Sequence, residues 1–400
     1  MSARVDDLSQ PSVPMSFCNG KRLLILSGPM GNGHVRAAES LAACARDDYP
    51  GLSVEHINCA ALMHPAMRAI FTHGYTAVLR HCPHLWRSIY DRTNAPPGTS
   101  GWDRFFHWFA RRASGRMAHY IERCGADYIL CTHFLPAGVL DELKARDAVR
   151  ARAAVVVTDF DTHWAYVLPH LDHVFAPVEK GAFKLRFNGV PAERISLTGI
   201  PVMPGFTRAH PVREIREELG IPSGARAVMV AAGGDGLGPI DTIARFVLEQ
   251  TDDHVIVLCG HNAGMLAAVR EIAARHPGRC TPVPFTDDVD RYMAASDVVV
   301  TKPGGITVSE SLAMRKMTIV MDPVPGHEER NVDHLLECSL AVKASDLPDL
   351  LYKLDVLRDN AAERERLQTA ADREGTRNAA RHILSVMLAG GAARAGDGSH

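Results

Sequence analysis

The 400-residue sequence lacks any long apolar run and any strong excess of one charge, and these two absences exclude several classes of protein. No stretch reaches the roughly 18 uninterrupted apolar residues of a membrane-spanning helix, and the first residues lack the apolar segment of a signal peptide. Forty-four Lys and Arg against 46 Asp and Glu leave a net charge of −2, which provides no overall attraction to nucleic acid. We therefore expect a cytoplasmic protein with no nucleic-acid partner.

The nine cysteines are odd in number, scattered along the chain and without a C-x-x-C pair. This usage is typical of neither a zinc site nor a disulfide framework, and it indicates a reducing environment. The sequence is 46% hydrophobic and 22% charged, which is ordinary for a soluble folded protein and excludes a disordered or collagen-like chain. The length predicts two or three domains.

Short β-branched runs alternate with helix-length segments along most of the chain. Apolar strands separated by helices predict parallel sheets covered on both faces, which is the α/β class. The candidate strands are Arg22–Ser27, Ser53–Asn58, Tyr128–Thr132, Ala153–Thr158 and His173–Ala176 in the first half, and Ala227–Ala231, His254–Cys259, Asp297–Thr301 and Thr318–Met321 in the second. We expect two doubly wound, Rossmann-like lobes, with ligands bound in the interlobe cleft beyond the carboxyl ends of the strands.

Regular structure breaks near Thr198–Val212, where three prolines fall within fifteen residues and a new series of strands and helices begins. Both ends of the chain are rich in small or polar residues without periodicity, which predicts disorder. The predicted segments are a disordered N-terminus (1–20), a first lobe (21–203), a second lobe (204–375), a C-terminal helix (376–388) that packs back on the first lobe, and a disordered tail (389–400).

A glycine-rich turn, Gly28-Pro-Met-Gly-Asn-Gly-His34, follows the first strand and opens a helix. Its free backbone N–H groups and the helix dipole favour an anion or a developing negative charge. The P-loop pattern fails because His34 and Val35 stand where Lys and Ser or Thr are required, and the dinucleotide fingerprint fails because Arg36 replaces its last glycine. His34 is a candidate general base at the cleft, and the alternative is a helix-start histidine bonded to backbone.

Three further turns after strands lie in the second half of the chain. Ala231–Asp241 contains four glycines and opens a helix, and Thr301–Glu310 places two glycines and a hydroxyl at another helix start. A carboxylate one turn inside that helix, Glu310, can accept hydrogen bonds from both ribose hydroxyls while the helix end holds phosphate. Pro323–Asn331 adds polar side chains suited to sugar hydroxyls. Each turn alone is equally consistent with an ordinary loop and a capped helix, but together they predict a phosphorylated ligand.

The motifs GNGHVRAAESL, VVVTDFDTHWAYV, ISLTGIPVMPGF, GGDGLGPID, TKPGGITVSESLA and PVPGHEERN occur in this order over about residues 22 to 340. In these motifs the chain resembles glycosyltransferase family 28, in the group of the monogalactosyldiacylglycerol synthases and the processive diacylglycerol glucosyltransferases. The resemblance implies the GT-B fold, a nucleotide sugar, usually a UDP-sugar, in the second lobe, and a lipid acceptor bound by the first lobe at a membrane surface. It implies no cofactor and no metal.

The resemblance also implies roles for individual residues. His34 matches the glycine-loop histidine proposed as acceptor base, and Glu310 matches the ribose-binding acid. The sequence departs from the family pattern at His327, where relatives usually carry Gln, and at Gly28, where plant-type synthases carry an Asp before their glycines. The predicted donor site consists of Gly234, Gly236, Phe285, Gly304, Gly305, Thr307, Glu310, His327, Glu328 and Asn331.

Asp159-Phe-Asp161 reads as a D-x-D motif, which can hold a divalent metal on a nucleotide diphosphate. We favour instead a place for Asp159 and His163 near the acceptor, with Gly33 beside them. Asp159 then assists or orients the base, and the alternative is an Asp that caps the helix after its strand.

Trp102–Arg116 interleaves aromatic and cationic side chains, a pattern suited to a membrane interface, although aromatic residues at helical spacing also form protein cores. A lipid acceptor requires such an interface, and we expect the segment to dock on an anionic membrane surface. The predicted contacts are Trp102, Phe105, Phe106, Trp108, Arg111 and Arg112.

The predicted reaction is inverting transfer of a hexose from UDP-glucose or UDP-galactose to diacylglycerol or a related lipid, by a protein peripherally associated with the inner face of the cell membrane. Two rivals remain open. A nucleotide-sugar 2-epimerase of the same fold needs extra acids at the anomeric carbon and no lipid-docking surface. A non-catalytic UDP-sugar sensor needs Glu310 and the glycine turns but not His34.

Overall fold

The computed structural model describes residues 18–74, 77–78, 82–94, 115–234, 236, 238–374 and 376–396. They form two compact units. The first comprises the described residues up to Pro204, the short segment Pro325–His327 and the C-terminal helix Ala379–Gly396. The second comprises Gly205–Val324 and Glu328–Glu374.

One parallel sheet forms the centre of the first unit, in the order β2-β1-β3-β4-β5-β6. Its strands are β1 (Arg22–Ser27), β2 (Ser53–Asn58), β3 (Tyr128–Cys131), β4 (Arg152–Val156), β5 (His173–Ala176) and β6 (Ile195–Leu197). The four central strands are buried over nearly their whole length, because helices cover both faces of the sheet. The chain reverses its winding direction between β1 and β3, and such a switch point is where ligands bind in these sheets.

The helices of the first unit are α1 (Asn32–Asp48), α2 (Pro65–Ala69), α3 (Pro83–Thr93), α4 (Phe134–Ala145) and α5 (Glu179–Phe187), and residues 115–123 are also helical. On one face of the sheet, α1 and the C-terminal helix pack together, with Ile383, Leu384 and Met387 fully buried in the core.

The structure describes part of each end that the sequence predicts to be disordered. The C-terminal helix continues to Gly396, because alanine favours helix and the segment extends a helix that is already anchored by buried side chains. At the other end Cys18 is fully buried against the first unit's core, so order begins before residue 20. Residues 1–17 and 397–400 lie outside the described residues.

The second unit contains another parallel sheet, in the order β12-β11-β10-β7-β8-β9, with its switch point between β7 and β10. The strands are β7 (Ala227–Ala231), β8 (His254–Leu258), β9 (Cys280–Val283), β10 (Val298–Thr301), β11 (Met317–Val320) and β12 (Val342–Lys343). The helices are α6 (Val212–Glu218), α7 (Ile240–Gln250), α8 (Ala263–Arg275), α9 (Val289–Ala295), α10 (Gly305–Ala313), α11 (His327–Glu337), α12 (Leu347–Asp359) and α13 (Ala361–Glu374). The predicted α/β class and both doubly wound sheets are confirmed.

Candidate active site

His34 lies at the switch point of the first sheet, in the first turn of α1 beyond the end of β1. Gly33 precedes it, and both residues are half-buried. The strands on the other side of the switch point, β3 and β4, end at Cys131 and Val156, so the residues that follow them reach the same edge of the sheet. The segments that follow β3 and β4 therefore lie beside the imidazole of His34.

The hydrogen bonds of His34 determine which of its ring nitrogens carries the proton. Nδ1 lies 2.7 Å from the backbone oxygen of Thr132 and 2.8 Å from Oγ1 of Thr158. A carbonyl oxygen can only accept, so Nδ1 must donate, and the neutral ring keeps its lone pair on Nε2. The Thr132 hydroxyl also donates to the backbone oxygen of His34, 2.8 Å away, which ties the start of α1 to the end of β3. The arrangement presents Nε2 as a base.

A second histidine, His133, supports the first. Its ring meets that of His34 edge-on with centroids 4.5 Å apart and stacks on Phe134 at 4.2 Å. His133 is 1% exposed, and its Nδ1 accepts a hydrogen bond from Leu135 N at the start of α4. Burial lowers the pKa of His133 well below its usual value, so the ring is neutral. A side chain at Gly28 would clash with this ring, which explains glycine at that position.

Burial also lowers the pKa of His34, and the Asp159 carboxylate and the Thr132 carbonyl act in the opposite direction. Asp159 is half-buried and follows β4 directly after Thr158. A neutral imidazole beside a carboxylate that stabilises its protonated form is suited to general-base catalysis, since the ring must take up a proton during the reaction. The structure therefore brings both predicted catalytic residues to one site.

Asp161, the second acid of the D-x-D motif, has a structural role. Asp161 is 5% exposed and forms an ion pair with Lys184 of α5. Among the described residues, no group of three or more His, Cys, Asp or Glu side chains is arranged to hold a metal ion.

His163 connects two helical segments of the first unit. Its Nδ1 accepts from Ala165 N at 3.0 Å, and its Nε2 lies 3.4 Å from the backbone oxygen of Tyr90 and 3.3 Å from Thr93 Oγ1. These contacts anchor α3 against the short helical turn Trp164–Tyr166. A role for His163 in acceptor binding stays a prediction.

The predicted diphosphate turn of the second unit follows β7 at the switch point of the second sheet. Gly236 has a φ of 57°, and a Cβ there would collide with the Cys259 carbonyl, so the position requires glycine. The Gly234 oxygen accepts from His261 N at 3.0 Å, and the Asn262 side chain donates to Gly236 O at 3.2 Å. The end of β8 thereby fixes the shape of the turn.

Lys302, which sequence reasoning did not single out, extends beside the same turn. It follows β10, the strand across the switch point from β7, and a Cβ on Gly238 would lie 3.3 Å from its Cε and 3.9 Å from its Nζ. Lys302 is half-buried, and within the described residues the structure records no hydrogen bond or ion pair for its ammonium group. Thr301 beside it is 4% exposed, and its hydroxyl is without a partner in that same part of the chain.

The third glycine turn is held by residues of α11. The Asn331 amide donates to Pro303 O at 3.0 Å, and Asn331 is fully buried, so it supports the turn from behind. Glu328 accepts from Val324 N at 2.6 Å, and a Cβ on Gly304 would lie 3.7 Å from Glu328 Oε1. Gly305 and the half-buried Thr307 lie in the first turn of α10.

Two other predicted donor residues lie in the same unit. Glu310 of α10 is 6% exposed, an unusual degree of burial for a carboxylate. Phe285 follows β9, is 47% exposed, and stacks on His261 with ring centroids 3.8 Å apart and planes at 14°. His327 begins α11 but groups with the first unit, where its charge lowers the pKa of His34.

The predicted membrane contacts Trp102, Phe105, Phe106, Trp108, Arg111 and Arg112 lie outside the described residues. In the part of the chain that the structure does describe, no helix is both long and apolar enough to cross a bilayer.

Comparisons with known proteins show similarity over most of the chain. The family model for monogalactosyldiacylglycerol (MGDG) synthase matches residues 34–202, and the model for the glycosyltransferase family 28 C-terminal domain matches residues 241–383. The chain is 24% identical over 344 residues to the processive diacylglycerol β-glucosyltransferase of Bacillus pumilus, an alignment that covers 85% of this chain and 87% of the relative.

Two solved structures share the fold. MurG of Acinetobacter baumannii superposes with a TM-score of 0.60 at 14% identity, covering 92% of this chain and 99% of that chain. HepE of Anabaena in complex with UDP-glucose gives 0.54 at 13% identity, covering 93% and 99%. The predicted GT-B fold of two Rossmann-like lobes is thereby confirmed. The two family models match successive parts of the chain, and with the processive diacylglycerol β-glucosyltransferase relative they place the protein in glycosyltransferase family 28, in the group of the MGDG synthases and the processive diacylglycerol β-glucosyltransferases.

Proposed function

We propose that this protein transfers a hexose from a UDP-sugar to the hydroxyl of diacylglycerol or a closely related lipid, with inversion at the anomeric carbon. The observation that carries the proposal is the tautomer of His34, whose Nδ1 is bound to Thr132 O and whose Nε2 is left as a base. The name of the Bacillus pumilus relative supports a diacylglycerol acceptor, and the UDP-glucose complex of HepE supports a UDP-hexose donor.

In the proposed reaction, Nε2 of His34 takes the proton of the acceptor hydroxyl while the oxygen attacks the anomeric carbon. The bond from that carbon to the diphosphate breaks, and its electron pair leaves with UDP. Backbone N–H groups of the glycine turn after β7 and the ammonium group of Lys302 stabilise the charge on the departing diphosphate. A single displacement inverts the configuration, and Asp159 stabilises the imidazolium that forms.

The decisive experiment is to incubate the protein with labelled UDP-glucose or UDP-galactose and with diacylglycerol in vesicles, and to analyse the lipid products. We expect a β-linked hexosyl lipid from one of the two donors. Release of a free sugar nucleotide inverted at C2, without labelled lipid, would indicate the epimerase instead. Tight UDP-sugar binding without any turnover would indicate a sensor. A lipid acceptor also implies action at a membrane surface, which we propose to be anionic and on the cytoplasmic side.

Lys302 provides a test of the donor site. Lys302→Met should weaken UDP binding about tenfold, because it removes a charge-assisted hydrogen bond worth about 1.5 kcal/mol. Uridine, which has no phosphate, should bind as it does to the unchanged protein. Calorimetry with both ligands measures the difference, and Lys343→Met, at an exposed position on β12, is the matched control. An equal loss for uridine and UDP would contradict a phosphate contact.

Chelation tests the D-x-D alternative. We expect EDTA to leave transfer unchanged, because the glycine-turn amides and Lys302 are proposed to carry the role of a metal at the diphosphate. Transfer rates before and after chelation, with Mg²⁺ or Mn²⁺ added back, are the measurement. A loss that the divalent ion restores would return Asp159 and Asp161 to consideration as metal ligands, and it would require Asp161 to leave Lys184.

A further inference from the structure

The contact between Thr158 and His34 is not explained by the fold alone. Thr158 lies two residues beyond the end of β4 and is 4% exposed, and its Oγ1 is 2.8 Å from Nδ1 of His34. The same Nδ1 already donates to the Thr132 carbonyl at 2.7 Å. Two oxygens from the segments that follow β3 and β4 thus share one N–H group.

Only one assignment of protons satisfies these contacts. If the Thr158 hydroxyl donated to Nδ1, the Nδ1 lone pair would also face the Thr132 carbonyl at 2.7 Å, which is repulsive. The Thr158 oxygen therefore accepts the hydrogen bond from Nδ1–H of His34.

We propose that Thr158 is a positioning residue, whose hydroxyl accepts a second hydrogen bond from Nδ1–H of His34, fixes the plane of the imidazole and makes Nε2 a stronger base. The inference rests on the proposed function, in which Nε2 takes the acceptor proton. Hydrogen bonds accepted from Nδ1–H stabilise the imidazolium more than the neutral ring, since the proton on Nδ1 becomes more acidic when the ring is charged.

Other groups act on the same imidazole. Asp159 favours its charged form, whereas the His327 side chain opposes it, and the neutral His133 packs against its edge. None of these three would be altered chemically by a change at position 158, so a shift in the titration of His34 in a Thr158 variant reports on the missing hydroxyl.

The test compares Thr158→Val with Thr158→Ser. Valine keeps the shape of threonine and loses the acceptor, so we expect kcat to fall about 3- to 10-fold, the effect of one hydrogen bond, with KM for the UDP-sugar unchanged. Without the acceptor the pKa of His34 falls, so the acid limb of the pH profile should shift to lower pH. The less basic Nε2 also lowers the rate at the pH-independent plateau. Serine restores the hydroxyl, so Thr158→Ser should recover both kcat and the original position of the acid limb of the pH profile.

A readout independent of turnover keeps the two proposals separable. Imidazole ¹⁵N chemical shifts, with His34 assigned by its absence in His34→Asn, give the tautomer and the pKa of the ring directly. We expect Nδ1–H in the unchanged protein and a lower His34 pKa in Thr158→Val. An unchanged pKa, or a serine variant as impaired as the valine variant, would overturn the inference and leave glycosyl transfer standing. Absence of transfer by the unchanged protein would overturn the proposed function, and the ¹⁵N shifts would still decide the hydrogen bond.

Discussion

Replacing His34 by alanine should lower the rate of glycosyl transfer by about 10²–10⁴-fold, the usual contribution of a general base, and leave UDP affinity unchanged. The affinity is spared because the proposed contacts to the diphosphate and the ribose, Lys302 and Glu310, belong to the second unit, whereas His34 lies in the first. Alanine also removes the donor to Thr132 O and Thr158 Oγ1. His34→Asn separates the two effects, since its amide can donate to these oxygens but offers no basic nitrogen. We expect both variants to lose transfer to a similar degree.

The pH dependence gives the same prediction a second measurement. A base acts in its neutral form, so kcat/KM should fall as the pH drops through the pKa of His34, which burial holds below its usual value of 6.5. That acid limb should be absent from the residual activity of His34→Asn. His170→Ala, with a side chain half-exposed to solvent and bonded to Asp141, is the matched control and should keep both rate and limb. Near-normal transfer by His34→Asn would assign the base elsewhere, with Asp159 the first candidate.

The sequence around His34 is enough to predict it as a site residue, but it does not identify its hydrogen-bond partners, Thr132 and Thr158. A histidine in a glycine turn after a strand is unusual in itself. Thr132 and Thr158 are β-branched, so the sequence pattern places them at the ends of the predicted strands. The strands end earlier, at Cys131 and Val156, which frees both threonines to face the imidazole. Only strand order brings them together, and order is a property of the whole sheet. The rule that ligands bind beyond the carboxyl ends of parallel strands was the signal that could have identified them.

For the fold, too, the sequence predicts some strands and not others. All nine predicted strands exist, and all but β2 are short, mostly apolar runs between helix-length segments, the pattern expected of buried strands in a parallel sheet. The three that were missed, β6, β9 and β12, are short strands at or near the sheet edges, and their residues are mostly half-exposed. β9 even contains Pro282, which an edge position tolerates. Edge strands depend on pairing with a neighbour more than on their own composition, so the sequence carries little trace of them.

At the donor site the second large effect is expected from Glu310. Replacing it by Gln should weaken UDP binding about 10- to 150-fold, because a hydrogen bond to a charged acceptor contributes about 1.5–3 kcal/mol. Glu310 is 6% exposed and has partners within the protein, and the ribose hydroxyls of the bound nucleotide are proposed as additional donors to its carboxylate. Glu249→Gln, at an exposed position near the end of α7, is the matched control.

Loss of affinity alone does not distinguish a ribose contact from damage to α10, because a buried carboxylate also has partners within the protein. Ligands with altered ribose make that distinction. UDP lacking the 2′- or 3′-hydroxyl should bind more weakly than UDP to the unchanged protein, and the difference should shrink or vanish in Glu310→Gln, because the variant has already lost the charged acceptor. Calorimetry with the three nucleotides on both proteins gives the coupling energy directly, and thermal unfolding shows whether the variant remains folded. A discrimination between ribose and deoxyribose that persists unchanged in Glu310→Gln would show that another group binds the ribose.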